Sequence, residues 1–438
     1  MKTLLIALLV YMAGFQNSFA SYPELFGASF STSGIGNQAN LNANDPSNNY
    51  YSPSLLGFSD KFNVLAQSSS TAPHFKSINS VVVTNNTNST SETYGKVNTT
   101  YTKFYGGALH IGLPVGGARH LGTLGLSVFL PLGDLVRTNS GDPFLPEYVM
   151  YRSRFQRTSV YLNFAKKWSE DLAWSVGTLL GFQATAEVRT NLSLNGASYG
   201  SWARAQSKVS PSIGFITSVT KIFDDSTVYF AYQQEMKSNL KASVYGEITN
   251  PSLALLDSTM SSLIFYDPHT FRIGGTTRFS DLEFFGALEY QMWSGYKSPI
   301  VDVKKNGGVI VPSTNYEKIV TRDTINPRLG LKLNLTDRWS TLLGVQYRMT
   351  PLKGDFSGSG NSVDVNTIVG TTGFQYRMVV WSKDVHIGTA FQYHQLESKR
   401  VTKTTGQENG SAGNKLGAPG YDLGGYILTA NLGIKFNF

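Results

Sequence analysis

Not one of the 438 residues is cysteine, so a disulfide framework and thiol chemistry are both excluded. Charge is also scarce: Asp, Glu, Lys and Arg together make up 15% of the chain, little for a soluble surface. Beyond residue 20 no apolar run approaches the roughly eighteen residues that a membrane helix needs. Helical periodicity is nearly absent as well. What is plentiful is aromatic side chain, 13% of the total, and glycine, 43 residues. That balance suits a membrane barrel, whose lipid face needs no charge and whose lumen holds small residues. The net charge of +8 suits the lumen of such a barrel, or attraction to anionic lipid, better than nucleic acid.

The first twenty residues, MKTLLIALLVYMAGFQNSFA, carry one Lys, an apolar run and then Ser18-Phe19-Ala20. This small-x-small ending is the pattern of a cleaved export signal, and the run is too short to span a bilayer comfortably. Domains are therefore expected as a signal peptide over 1–20, an N-terminal segment over 21–58 and one barrel over 59–438.

From about residue 60 to the end, apolar residues alternate with small or polar ones. Leu172, Trp174, Val176 and Leu180 oppose Ser175, Gly177 and Gly181; Ile325, Leu329, Leu331 and Leu333 oppose Asn326, Arg328, Gly330 and Lys332. Such runs exceed a soluble strand and match the roughly 9–11 residues of a tilted membrane strand. Six tight turns, at 116–120, 168–171, 223–226, 279–282, 336–339 and 381–384, alternate with seven longer polar connections. The spacing predicts about fourteen antiparallel strands with both termini on the short-turn side. Short periplasmic turns facing longer outer loops are the outer-membrane pattern of a Gram-negative bacterium. Trp168, Phe223, Phe279, Trp339 and Trp381 sit at those turns, where an interfacial girdle belongs. The chain ends in the strand ILTANLGIKFNF, as a cylinder must if its last strand closes on its first. The terminal Phe438 resembles the signal that barrel-insertion machinery reads.

Residues 21–58 lack alternation but carry Phe26, Phe30, Ile35, Leu55, Leu56 and Phe58. A free tail has no use for these side chains; a hatch packed inside the barrel does.

Several stretches, taken in order, resemble the FadL-type family of outer-membrane transporters of hydrophobic compounds. They are Ser31-x-Ser33-Gly34-Ile35-Gly36, GALEYQMWSGYKSP (286–299), RDTINPRLGLKLNLTDRWSTLLGVQYRMTPLKGDF (322–356) and VDVNTIVGTTGFQYRM (363–378). At Tyr51-Ser52-Pro53 only the proline matches the family's Asn-Pro-Ala. The resemblance implies an all-β transmembrane barrel of fourteen strands, occluded by an N-terminal hatch. It further implies passive, cofactor-free transport of long-chain fatty acids or aromatic hydrocarbons, with lateral release through a kink in the third strand.

Against that background Pro131 and Gly133 are candidates for a lateral gate, an ordinary rim bulge being the alternative. In the fourth outer loop Leu253, Leu256, Met260 and Leu263 lie near helical spacing after Asn250-Pro251 and are candidates for an outer apolar groove. The alternative is a loop packed on its own barrel. Inward-facing Arg328, Arg348 and Arg377 on successive strands suit a ligand carboxylate, or else a lumenal network with Glu187, Glu235 and Glu289. Phe26, Phe30 and Ile35 complete the candidate ligand contacts. No Ser/His or Asp/His grouping marks an enzyme. Expected partners are a hydrophobic ligand, outer-membrane lipid and lipopolysaccharide, with no nucleic acid. The competing functions are a diffusion porin for small polar or anionic solutes and an adhesive barrel.

Overall fold

The computed structural model describes residues 23–85, 92–97, 103–117, 121–131, 147–151, 158–192, 202–249, 252–297, 302–307, 319–353, 362–402, 414–416 and 420–438. The expected signal segment and Gly133 lie outside these residues.

One sheet of seventeen strands dominates; fourteen close into a barrel and three stand above it. The barrel strands are β1 (Asn63–Phe75), β2 (Phe104–Val115), β3 (Gly122–Pro131), β4 (Ser159–Ser169), β5 (Leu172–Leu192), β6 (Trp202–Ile222) and β7 (Ser226–Gln233). They continue as β8 (His269–Phe279), β9 (Leu282–Met292), β10 (Thr324–Asn334), β11 (Trp339–Arg348), β12 (Thr367–Val380), β13 (Lys383–Thr402) and β14 (Gly420–Asn437). Each barrel strand pairs antiparallel with the next. The cylinder closes where β14 meets β1, in register from Asn63↔Asn437 to Phe75↔Gly425. This closure satisfies the backbone groups that an open sheet would present to lipid.

Alternation places the side chains as expected. On β10, Ile325 and Leu329 are exposed while Asn326 and Arg328 are buried. On β14, Leu428 and Leu432 face out while Thr429 and Asn431 face in. The girdle residues are also outside, with Trp168 77% and Trp381 80% exposed.

One expectation is corrected. Residues 252–267 do not form a helix after Asn250-Pro251; Ser252–Asp267 is a strand, paired antiparallel with the strand Met236–Thr249. The 3-4-3 spacing of Leu253, Leu256, Met260 and Leu263 is compatible with one helix face, but an available neighbouring strand satisfies the backbone instead. Asp302–Gly307 adds beside it. Met236–Thr249 in turn pairs parallel with the outer part of β5, from Leu240↔Ala184 to Ile248↔Leu192. A mixed sheet therefore rises above the barrel on the long-loop side.

Candidate functional site

The lumen is occupied by the N-terminal segment, folded as short helices α1 (Pro23–Phe26), α2 (Phe30–Gly34) and α3 (Asn48–Tyr51) and a 3-10 turn, Pro53–Phe58. Ser29 caps α2: its hydroxyl accepts from the Thr32 N–H, and the Thr32 hydroxyl oxygen accepts from the Ser29 N–H. Gly36 follows with φ +85°, and a Cβ there would lie 3.0 Å from the carbonyls of Leu329 and Val345. The S-x-S-G-x-G residues thus form a compact knuckle against β10–β14. The walls receive it on bare backbone. Gly330 and Gly344 face each other across β10 and β11 beneath Ile35 and Gly36; Gly388 and Gly433 face each other across β13 and β14 beneath the Phe30 ring.

Polar contacts fix the position. Asn431 donates to the Phe26 carbonyl (3.1 Å) and Ser33 Oγ (3.0 Å), and Gln392 donates to the Phe26 carbonyl (3.0 Å) and Asn37 Oδ1 (2.7 Å). Asn49 donates to Ser127 Oγ at 3.0 Å, and the Ser54 N–H to Ser218 Oγ at 2.8 Å. At the centre of the segment Asp45 accepts from Ser31 (2.9 Å), Asn40 (2.7 Å) and Ser47 (2.6 Å), with Lys435 Nζ of β14 at 3.5 Å. Burial pushes the Asp45 carboxyl upward, but Lys435 and the Ser47 and Ser31 donors outweigh it and hold the group at about 2.

The three candidate arginines do not converge on one point. Arg328 donates to Glu289 at 2.7 Å and to the Asn37 carbonyl; Glu289 also accepts from Arg272 at 2.6 Å. Arg348 faces Asp364 (3.1 Å) and the Tyr151 hydroxyl (2.6 Å) at the outer end of β11. Arg377 bonds Asp384 at the periplasmic end of β12, 2.9 Å away. Each guanidinium therefore already faces a protein carboxylate. Of the expected acidic partners, only Glu289 serves these arginines; Glu187 pairs with Arg189, and Glu235 with Lys237. Below the N-terminal segment a cavity of about 920 Å³ opens on the short-turn side, lined by both signs of charge, with Asp225, Asp281 and Glu283 beside Lys332, Arg377 and Lys435.

Two buried apolar clusters fill much of what remains. The outer one joins Phe26 to Phe104, Tyr148, Met150, Trp293 and Tyr266, and takes in Leu263. The other packs Tyr50 and Tyr51 of α3 against Phe129, Tyr161, Leu179, Ile216 and Met236 on the walls. Phe30 and Ile35, both fully buried, hold smaller clusters beside them. Of the groove candidates, Leu263 is buried while Leu256 and Met260 are half-buried. Sequence reasoning missed the stretch Tyr148–Tyr151, which leaves the wall and buries all four side chains in the lumen. Its signal was the aromatic run EYVMY in an otherwise polar connection.

On the gate candidates, the β3–β4 ladder runs unbroken from Thr123↔Ala165 to Phe129↔Ser159 among the described residues. Pro131 stands two residues past the last rung, still opposite Gly106 on β2.

No family model matches the chain. Alkane uptake protein A of Marinobacter nauticus is 26% identical over 160 residues, 35% of this chain and 34% of that protein. The match thus spans about a third of that relative's length. Among solved structures, a Pseudomonas aeruginosa FadL homologue aligns over 96% of this chain and 99% of its own, with TM-score 0.61 and 14% identity. The toluene transporter TodX of Pseudomonas putida (TM-score 0.52, 11% identity) and TbuX of Ralstonia pickettii (0.50, 12%) each cover 94% of this chain and 98% of their own. The chain has the FadL-type fold that its residues resemble, a closed fourteen-stranded barrel.

Proposed function

We propose that the protein lets hydrophobic small molecules cross the outer membrane passively, with residues 1–20 as its export signal and the N-terminal segment as a hatch. The observation that carries this reading is the pair of buried aromatic clusters in the interior, one around Phe26 and one around α3. A hydrophobic molecule gains by leaving water for such a surface and gains nothing from a wet pore. The partial likeness to an alkane uptake protein and the fold shared with two toluene transporters support the same class.

In this reading the molecule meets the outer cluster around Leu263, with Leu256, Met260 and Leu253 as its approach, and passes Phe26, Phe30 and Ile35 as the hatch shifts. It leaves sideways between β3 and β4, near the outer end of β3. There Pro131 has no N–H to extend the ladder, and Gly133 belongs to the same gate.

The test is uptake of a labelled long-chain alkane, toluene and a long-chain fatty acid by cells with and without the protein. Faster uptake of at least one supports the reading; equal uptake of all three in both strains contradicts it. A second reading, diffusion of small polar solutes, draws on the polar cavity on the short-turn side, whose lining carries both signs of charge. Conductance separates the two.

A further inference from the structure

The wall between β6 and β7 is forked. Their ladder runs from Thr227↔Ile222 to Gln233↔Ile216. One more rung follows, in which the Gln234 N–H donates to the Phe215 carbonyl at 2.8 Å and the Phe215 N–H donates to the Gln234 side chain at 3.0 Å. A side-chain amide thus stands in for the next backbone carbonyl. The chain then turns away, and Met236–Thr249 pairs with β5 rather than β6. From Gly214 outward, the paired neighbour of β6 among the described residues is β5.

The fork lies within the membrane. Phe215 is seven residues above Ile222, about 23 Å along a strand. At a tilt near 40° that is about 18 Å of height in a roughly 25 Å apolar band. Ile213 and Phe215, 65% and 42% exposed, face outward at this level. Directly inside stand Leu179, Ile216 and Met236, all buried. Gly214 sits at the crotch: a Cβ there would lie 3.9 Å from the Cβ atoms of both Leu179 and Met236. The surfaces on both sides are apolar, no described ladder continues past the Gln234–Phe215 rung on this side of β6, and a flexible methionine side chain stands behind it.

The inner side is also continuous with the rest of the lumen. Leu179, Ile216 and Met236 belong to the same cluster as Tyr50 and Phe129. Tyr50 lies 6.0 Å from Phe129, which holds the last rung of β3 against β4. An unbroken apolar path therefore connects the fork with the end of β3.

We propose that the β6–β7 fork is a lateral portal, through which an uncharged hydrocarbon passes between membrane lipid and the lumenal cluster, with Met236 as its movable door. The portal rests on the transport reading above but not on the gate at β3. A hydrocarbon dissolved in lipid reaches the lumen by this route without crossing water.

The absence of cysteine makes the test clean. Gly214→Cys with Met236→Cys places two thiols at the Cβ separation of a disulfide. In the oxidised variant, uptake of a labelled long-chain alkane is expected to fall to that of cells lacking the protein, and reductant is expected to restore it. Equal uptake in the oxidised and reduced forms overturns the portal. Should the reduced variant fail to reach wild-type uptake, Gly214→Leu, which fills the crotch, takes its place: lost uptake supports the portal and full uptake overturns it. Toluene replaces the alkane as probe if the wild-type protein takes up only toluene; if it takes up neither, the portal falls, and if it takes up no fatty acid either, the transport reading falls first.

Discussion

The ring of Phe30 lies over Gly388, so close that a Cβ on the glycine would come within 2.2 Å of its edge. Gly433, paired with Gly388 across the β13–β14 ladder, bounds the ring on the other side, where a Cβ would come within 2.6 Å. Phe30 cannot slide from one glycine without meeting the other. The fit of hatch to wall therefore depends on two missing methyl groups. Gly388→Ala should destabilise the seated hatch by about 1–3 kcal/mol, the usual cost of overpacking. Ion conductance in a planar bilayer should rise in this variant, whereas an outward-facing control such as Leu432→Ala should leave it unchanged. Silence in both would show that the seat tolerates a methyl group.

Asp45 and Lys435 join the hatch to β14 inside the barrel, both almost wholly buried. Removing one partner strands the other charge, at a typical cost of about 3–5 kcal/mol. Lys435→Met should therefore loosen the hatch, and hydrogen exchange over residues 29–47 should quicken. Asp45→Asn with Lys435→Met should be milder than Lys435→Met alone, because no unpaired charge remains. A double variant looser than Lys435→Met by the full effect of Asp45→Asn alone would show that the charges act independently.

The same carboxyl sets a pH dependence. Its value falls from an ordinary 3.8 to about 2 in the seated hatch. A group depressed on folding stabilises fully above its unfolded value and loses that contribution as pH falls through the folded one. The shift corresponds to about 2–3 kcal/mol at neutral pH, lost between about pH 4 and pH 2. Conductance should thus stay low at pH 7 and rise below about pH 3. Asp45→Asn should flatten that step; an unchanged step would assign it to another group.

Arg328, Arg348 and Arg377 each face an internal carboxylate. Alanine at any of them should slow fatty acid and neutral hydrocarbon uptake to the same extent. Glu289→Gln should be the most damaging change in this set, because it leaves both Arg272 and Arg328 without their carboxylate. A selective loss of the fatty acid alone would mean that an arginine reaches the ligand.

For the gate at β3, Leu130→Cys with Thr158→Cys extends the last rung, Phe129↔Ser159, by one position. Oxidation should stop uptake of an apolar substrate if the molecule leaves there. Unhindered uptake would remove the β3 gate while leaving the fork to be judged on its own test.

The barrel was legible because lipid imposes a strict rule. Ile325, Leu329, Leu428 and Leu432 face outward at alternate positions, and Trp168 and Trp381 mark the short-turn rim. Every such residue reports its own environment. The interior obeys no comparable rule. Arg328 meets Glu289 through the β9–β10 register, which a single strand's pattern does not reveal. Leu253, Leu256, Met260 and Leu263 read as a helix because nothing local announced that Met236–Thr249 would be their partner. The glycine seats were visible as small inward residues, but their occupant, Phe30, lies more than 350 positions away in the chain.

The central claim is an occluded barrel with an apolar interior, and conductance of the purified protein in a planar bilayer tests it most directly. The account predicts little or no steady current at neutral pH, and a large current once residues 23–59 are deleted. A large, steady current through the intact protein would mean an open aqueous pore and would contradict the hatch.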